Sequence, residues 1–188
     1  MAKLYFRYAA MNAGKSTALL QVAHNYEERN QQVDLFTSVI DHRYGVGRIV
    51  SRLGVARNAE VYSDADDFDQ LYQLRPLPAC ILIDEAQFLT PTQVLQLHRL
   101  AHTRGVPVIA YGLRSDFLGR AFPGSGALLT LADSLEELKT VCRCGRKATM
   151  NLRIEADGAR VTEGNQVEIG GDDRYEAICP RRFYTGAC

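Results

Sequence analysis

Ala9-Ala10-Met11-Asn12-Ala13-Gly14-Lys15-Ser16 lies between an apolar stretch and an amphipathic pattern. It constrains the fold more than any other segment. The layout predicts strand, tight loop, helix, ending in the Gly-Lys-Ser of a phosphate-binding loop. Such a loop combines three devices for holding a polyphosphate. Backbone N–H groups at a helix N-terminus point at the anion, a lysine reaches the β/γ-phosphates, and a hydroxyl takes Mg²⁺. The usual pattern wants glycine where this chain has Ala9, and a Cβ is tolerable there only if the backbone keeps φ negative. The bland alternative is an accidental tripeptide on a surface helix.

The rest of the chain argues against accident. Its 188 residues, 46% of them hydrophobic and 23% charged, suffice for one domain plus a small appendage. Lys+Arg and Asp+Glu both number 22, and a duplex-binding protein would carry a basic excess, so nucleic acid is not an expected partner. No apolar run approaches a membrane span and no export signal is visible, so the expected location is the cytoplasm, away from any membrane. Five cysteines, an odd count, point to metal ligation or free thiols over a disulfide framework.

Along the chain, Leu4 to Tyr8 is strand-like, and Ala18, Leu19, Val22, Ala23 and Tyr26 share one face of a helix running to about Arg29. Val33 to Val39 predicts a strand, residues 41 to 58 no clear element, and Ala59 to Tyr62 a short strand. Ser63 is the expected cap of a helix whose first turn carries Asp64, Asp66 and Asp67, ending at Arg75-Pro76-Leu77-Pro78. Cys80 to Ile83 is an apolar run suited to a buried parallel strand. Thr90-Pro91-Thr92-Gln93 is a capping box opening a helix that Gly105 stops, and Val106 to Ala110 is another strand. Strands alternating with helices imply an α/β fold, with a parallel sheet covered by helices on both faces. Composition changes near Lys139. Residues 1–138 therefore read as the phosphate-loop domain and 139–188 as a small β-rich unit, with short alternating segments such as Gln166 to Ile169.

Asp84-Glu85 ends the apolar strand, where ligands of open α/β sheets bind. In phosphate-loop proteins the strand neighbouring the loop delivers an acid for Mg²⁺, which suits Asp84 beside Ser16. Glu85 could take a proton from a nucleophile in line with the γ-phosphate, or could be a solvated strand end. A water nucleophile would make an ATPase, an organic hydroxyl a kinase. Phe88, Phe117 and Phe122 stand in expected loops and would suit a flat heterocycle, unless they only pin their own loops. Cys142-x-Cys144 with Cys179 is a partial zinc signature, Cys188 being the spare thiol, and free thiols are the alternative.

Five segments then occur in one order. They are Met11 to Thr17, Asp84-Glu85-Ala86-Gln87-Phe88, Tyr111 to Phe117, Cys142-Arg143-Cys144-Gly145, and Ile169-Gly170-Gly171 with Tyr175. Together they resemble the thymidine kinases of the type found in bacteria and the human cytosol, from about Leu4 to Phe183. The resemblance implies a RecA-like domain, a small zinc-bearing lasso domain, a homotetramer, and γ-phosphate transfer from ATP to the 5′-hydroxyl of thymidine, giving thymidine monophosphate for DNA synthesis. It matches Glu85 to the catalytic base, Gln87 to its neighbour in the nucleotide site with Ala86, and Asp41 and Arg43 to a pair near the phosphates and Mg²⁺. Phe88, Leu113, Phe117, Phe122 and Tyr175 match residues around thymine and deoxyribose, and Ile169, Gly170 and Gly171 belong to the lasso. Arg182 occupies the usual fourth zinc position and cannot ligate, so zinc there would need Cys188, a water or another side chain as its fourth ligand. The rival readings are a phosphate-loop ATPase, a kinase of another deoxynucleoside, and a nucleotide-gated or zinc-knuckle binding module.

Overall fold

The computed structural model describes residues 1–168 and 174–188. In chain order the elements begin with β1 (Leu4–Ala9), α1 (Lys15–Glu27), β2 (Val33–Ser38), β3 (Arg48–Val50), β4 (Ala56–Asn58), β5 (Glu60–Tyr62) and α2 (Phe68–Leu74). They continue with β6 (Cys80–Ile83), a 3₁₀ turn (Ala86–Phe88), α3 (Pro91–Arg104), β7 (Val108–Leu113), α4 (Pro123–Leu131) and β8 (Ser134–Glu137). The chain closes with β9 (Thr140–Val141), β10 (Lys147–Ala148), β11 (Met150–Arg153), β12 (Tyr175–Ile178) and α5 (Pro180–Thr185).

Six strands form one parallel sheet in the order β5-β2-β6-β7-β1-β8. Alternation along the central strands explains why both faces are covered. Leu4, Phe6, Ile81, Ile83, Val108 and Ala110 point to one side, against Val94, Leu97, Leu100 and Ala101 of α3 and Leu128 of α4. Cys80, Leu82, Ile109 and Tyr111 point to the other, against Leu19, Leu20 and Ala23 of α1. A third cluster joins Cys142, Leu152, Ile178, Cys179 and Phe183 to Ala10 of the phosphate loop, so the C-terminal segment packs directly on that loop.

Local signals hold where they are self-sufficient. Thr90 and Gln93 make both bonds of the capping box, and Gly105 closes α3 at φ 71°. Other expectations need correction. Residues 41 to 58 contain the β3–β4 hairpin, whose strands bury little besides Ile49. Ser63 does not cap a helix: its N–H and hydroxyl both turn to Asp66, and Asp67 caps α2 through Gln70 N–H. The acid-bearing β6 does not neighbour β1, because β7 lies between them. Gln166–Glu168 form no strand, and Ile169, Gly170 and Gly171 lie outside the described residues.

Candidate active site

The phosphate loop leaves the carboxyl end of β1, where the buried Ala9 still pairs with Leu113. Positive φ falls at Asn12 (65°) and Gly14 (78°), not at Ala9, so the alanine sits in ordinary strand backbone and its Cβ costs nothing. Gly14 turns the chain into α1. Lys15 folds back over the loop and its Nζ donates to the Ala10 carbonyl at 3.3 Å. Burial pushes the Lys15 ammonium below its usual pKa, opposed by the nearby Glu85 and Asp84 carboxylates.

Parallel packing carries β6 to the same sheet edge. Ser16 Oγ donates to Asp84 Oδ2 at 2.9 Å, so hydroxyl and carboxylate meet despite the intervening strand. Burial, reinforced by the Glu85 charge beside it, pushes the Asp84 carboxyl up to about 7. The Ser16 hydrogen bond and the Lys15 charge oppose that rise. The Ser16 hydroxyl and the Asp84 carboxylate, in contact at 2.9 Å, offer oxygen donors of the kind a hard dication takes.

Those facts imply a pH-dependent cost. The folded-state pKa of Asp84 lies above the usual carboxylate value of 3.8, so its stabilising contribution is complete below about pH 4 and is lost as pH rises through about 7. In chelator, Asp84→Asn should therefore gain thermal stability over wild type as pH rises from 5 to 8, by on the order of 5 °C. An equal difference at both pH values in differential scanning fluorimetry would contradict this.

Glu85 sits in the left-handed region at φ 53°, a conformation uncommon for a residue with a long side chain. Tyr62 Oη secures it by donating to the Glu85 carbonyl at 2.8 Å. Its carboxylate is clamped: Arg43 donates to Oε1 at 2.7 Å and Gln87 Nε2 to Oε2. Arg43 is itself forked onto Asp41 at 2.7 and 2.9 Å. Burial would raise the Asp41 carboxyl, but the Arg43 hydrogen bonds outweigh it and hold the group below the usual range. Gln87, fully buried, accepts from Leu113 N–H at 3.0 Å. This close approach explains Gly112, where a Cβ would stand 2.9 Å from Gln87 Oε1 and 3.0 Å from its N.

Beyond Glu85 the cleft becomes apolar. Phe88, Leu113, Phe117, Phe122 and Tyr175 line it together with Met11 to Ser16, Asp41, Arg43, Asp84, Glu85 and Gln87. It encloses about 1240 Å³ including its open mouth. The aromatics also serve each other: Phe88 and Phe122 pack edge to face at 5.9 Å. Ala9, Ala10 and Ala86 do not line the cleft and lie packed behind it.

Several residues in and behind the cleft carried no sequence signal. Asn151 of β11 accepts from Met11 N–H at 2.8 Å and donates to the Ser115 carbonyl at 2.8 Å, tying the phosphate loop to the end of β7. Arg153 is buried with its guanidinium 3.8 Å over the Phe117 ring, and it donates to the Asn165 carbonyl at 2.9 Å. Gln166 donates to Asp116 Oδ2 at 3.0 Å, pinning one cleft wall. A lone Asn, Arg or Gln in a polar segment has no periodicity to betray it.

Cys142, Cys144, Cys179 and Cys188 bring their sulfur atoms within 4.8 Å of one another, Cys144 and Cys179 being 3.7 Å apart. A tetrahedral ion with Zn–S bonds of about 2.3 Å sets its sulfurs about 3.8 Å apart. Burial opposes ionisation of Cys142, but hydrogen bonds from Cys144 and Cys179 bring its thiol down to about 6. The donor set therefore fits zinc. Arg182 donates to Glu176 at 2.6 Å and also to the Cys142 sulfur, while Gly186 (φ 75°) turns the chain after α5 and Cys188 joins the cluster.

Comparison with known proteins identifies the family of the chain. The chain matches the family described as thymidine kinase over residues 2–184. It is 60% identical over 184 residues to a thymidine kinase of Chromobacterium violaceum, covering 98% of this chain and 99% of that one. It is 59% identical over 184 residues to a thymidine kinase of Albidiferax ferrireducens, covering 98% and 93%. With a thymidine kinase of Legionella pneumophila strain Lens it shares 54% identity over 190 residues, covering 99% and 91%.

Proposed function

This chain belongs to the thymidine kinase family, and from that premise we propose that it transfers the γ-phosphate of ATP to the 5′-hydroxyl of thymidine. The observation that carries the reading is the carboxylate Glu85, clamped between the phosphate loop and an apolar aromatic pocket. ATP lies with its β/γ-phosphates against the Met11–Ser16 backbone and Lys15, whose buried ammonium neutralises charge developing on the transferring group. Mg²⁺, when held by Ser16 and Asp84, supplies further neutralisation of the phosphate oxygens. Thymidine occupies the pocket of Phe88, Leu113, Phe117, Phe122 and Tyr175.

The clamp explains how Glu85 acts. Each carboxylate oxygen has two lone pairs, so Arg43 and Gln87 fix its direction and still leave acceptors for the 5′-hydroxyl. Glu85 orients that hydroxyl and takes its proton as the oxygen attacks the γ-phosphorus, while the bond from that phosphorus to the β,γ-bridging oxygen breaks and ADP leaves. The left-handed backbone at Glu85 aims the side chain across the cleft instead of along the strand. On the resemblance alone we extend the reading to a homotetramer working in the cytoplasm, with residues 1–138 and 139–188 as its two domains.

Phosphorylation of a panel of deoxynucleosides by ATP tests the proposal. Thymidine should give the highest kcat/KM, and equal turnover of purine deoxynucleosides would contradict the pocket assignment. Zinc is a further part of the proposal: elemental analysis should find close to one per chain in protein purified without chelator. Cys144→Ser and Cys188→Ser should both weaken its retention, since each removes one of four sulfurs from the cluster. Metal-free protein that stayed folded and active would show that the thiols need no ion.

A further inference from the structure

A second cluster of ligating side chains lies away from the cleft. His98 and His102 stand four residues apart on α3, on the same helix face, with ring centroids 4.6 Å apart. Both rings turn Nε2 toward Asp133, in the turn between α4 and β8. His102 Nε2 is 3.0 Å from each carboxylate oxygen, and His98 Nε2 is 3.8 Å from Oδ1. All three ligand atoms lie within 4.8 Å of one another.

The carboxylate is fixed independently of the histidines. Asp133 Oδ2 accepts from Leu4 N–H at 2.8 Å, and Asp133 N–H donates to the Leu4 carbonyl at 2.9 Å, tying the turn to the start of β1. The carboxylate therefore stays in place while the rings adjust. Leu4 begins β1 and the phosphate loop leaves its other end, so the cluster sits at the opposite edge of the sheet from the cleft. Its side chains are 29%, 32% and 23% exposed, which leaves one side open to water.

We infer that His98, His102 and Asp133 form a site for a borderline dication of the Zn²⁺ and Ni²⁺ class, distinct from the cysteine cluster. Two imidazole nitrogens and one carboxylate oxygen are a ligand set for such ions and a poor one for Mg²⁺ or Ca²⁺, which take oxygen. With metal–nitrogen bonds of about 2.0–2.1 Å, ligand atoms around a tetrahedral ion stand about 3.3 Å apart. The observed 3.0 and 3.8 Å bracket that value. Without an ion, two rings converge on one carboxylate. One dication satisfies both ring lone pairs and the carboxylate together, with water completing the coordination. Binding there ties the C-terminal half of α3 to the α4–β8 turn and touches no residue of the cleft.

Equilibrium dialysis against Zn²⁺ and Ni²⁺, using protein whose cysteine cluster is already loaded, tests the site. Wild type should take up one equivalent more than the His98→Gln/His102→Gln double variant. Each single variant should bind Ni²⁺ at least tenfold more weakly, with excess Mg²⁺ not competing and phosphorylation rates unchanged. Cys144→Ser should leave this equivalent intact. An undiminished stoichiometry and affinity in the double variant would overturn the site. A readout on wild type guards against misfolding of the variants: Zn²⁺ should shift the ring ¹⁵N resonances of His98 and His102 and spare those of His24 and His42. Unmoved His98 and His102 signals would equally overturn it.

Discussion

Replacing Glu85 by glutamine is expected to lower turnover by about 10²–10⁴-fold, the range for a lost general base, while ATP and thymidine still bind. The clamp sharpens the expectation. Arg43 and Gln87 both donate to this carboxylate, so the new amide must turn its NH₂ toward one of two donors. One donor is left unpaired, at a cost of about 1–3 kcal/mol. Thermal melting of the variant should show a loss of that order, too small to explain the kinetic defect. A variant keeping more than half of wild-type turnover would remove Glu85 from the role of base.

Lys15→Met is expected to lower turnover by about 10²–10³-fold, as for removal of one electrostatic stabiliser of a transition state. Methionine keeps an unbranched stem in the buried space and removes the charge. Lys15 has given up water for a single carbonyl contact and its neighbouring carboxylates, so the nucleotide-free variant should melt no lower than wild type. Thymidine affinity without ATP should hardly change, because the aromatic pocket lies beyond Glu85. Loss of turnover within tenfold would mean that the loop backbone alone carries the phosphate.

The two variants probe a site that was partly legible in the sequence. The phosphate loop could be read because its geometry is local: Gly14 must turn into a helix, and Lys15 and Ser16 follow at fixed offsets. Asp84 and Glu85 could be placed because a fully apolar β6 ends at them, on the ligand side of a parallel sheet. Neither the intervening β7 nor the left-handed backbone of Glu85 follows from that pattern, since both depend on partners distant in sequence. The same holds for Asn151, which reaches the cleft from β11, and for Arg153, buried behind it over Phe117.

Elsewhere, tertiary contact overrode local preference. Ser63 and Asp67 are both good helix caps, and the bond between Ser63 and Asp66 decides for the later start. Helix α4 carries glycines that disfavour helix, yet Gly124 is required because a Cβ there would stand 2.5 Å from the Leu89 carbonyl oxygen and 2.8 Å from those of Ala86 and Gln87. The β3 and β4 strands bury too little to show a period. Cys188 could be read as one candidate fourth ligand among several, and the turn at Gly186 brings it to the other cysteines.

The claim at the centre of this account is that an organic hydroxyl, positioned by Glu85, is the nucleophile, and that water is not. Counting products tests it most directly. Incubated with ATP, Mg²⁺ and thymidine, the protein should form ADP and thymidine 5′-monophosphate in a one-to-one ratio, with negligible ADP when thymidine is left out. ADP released at the full rate without thymidine, accompanied by inorganic phosphate, would contradict the account and make the protein an ATPase.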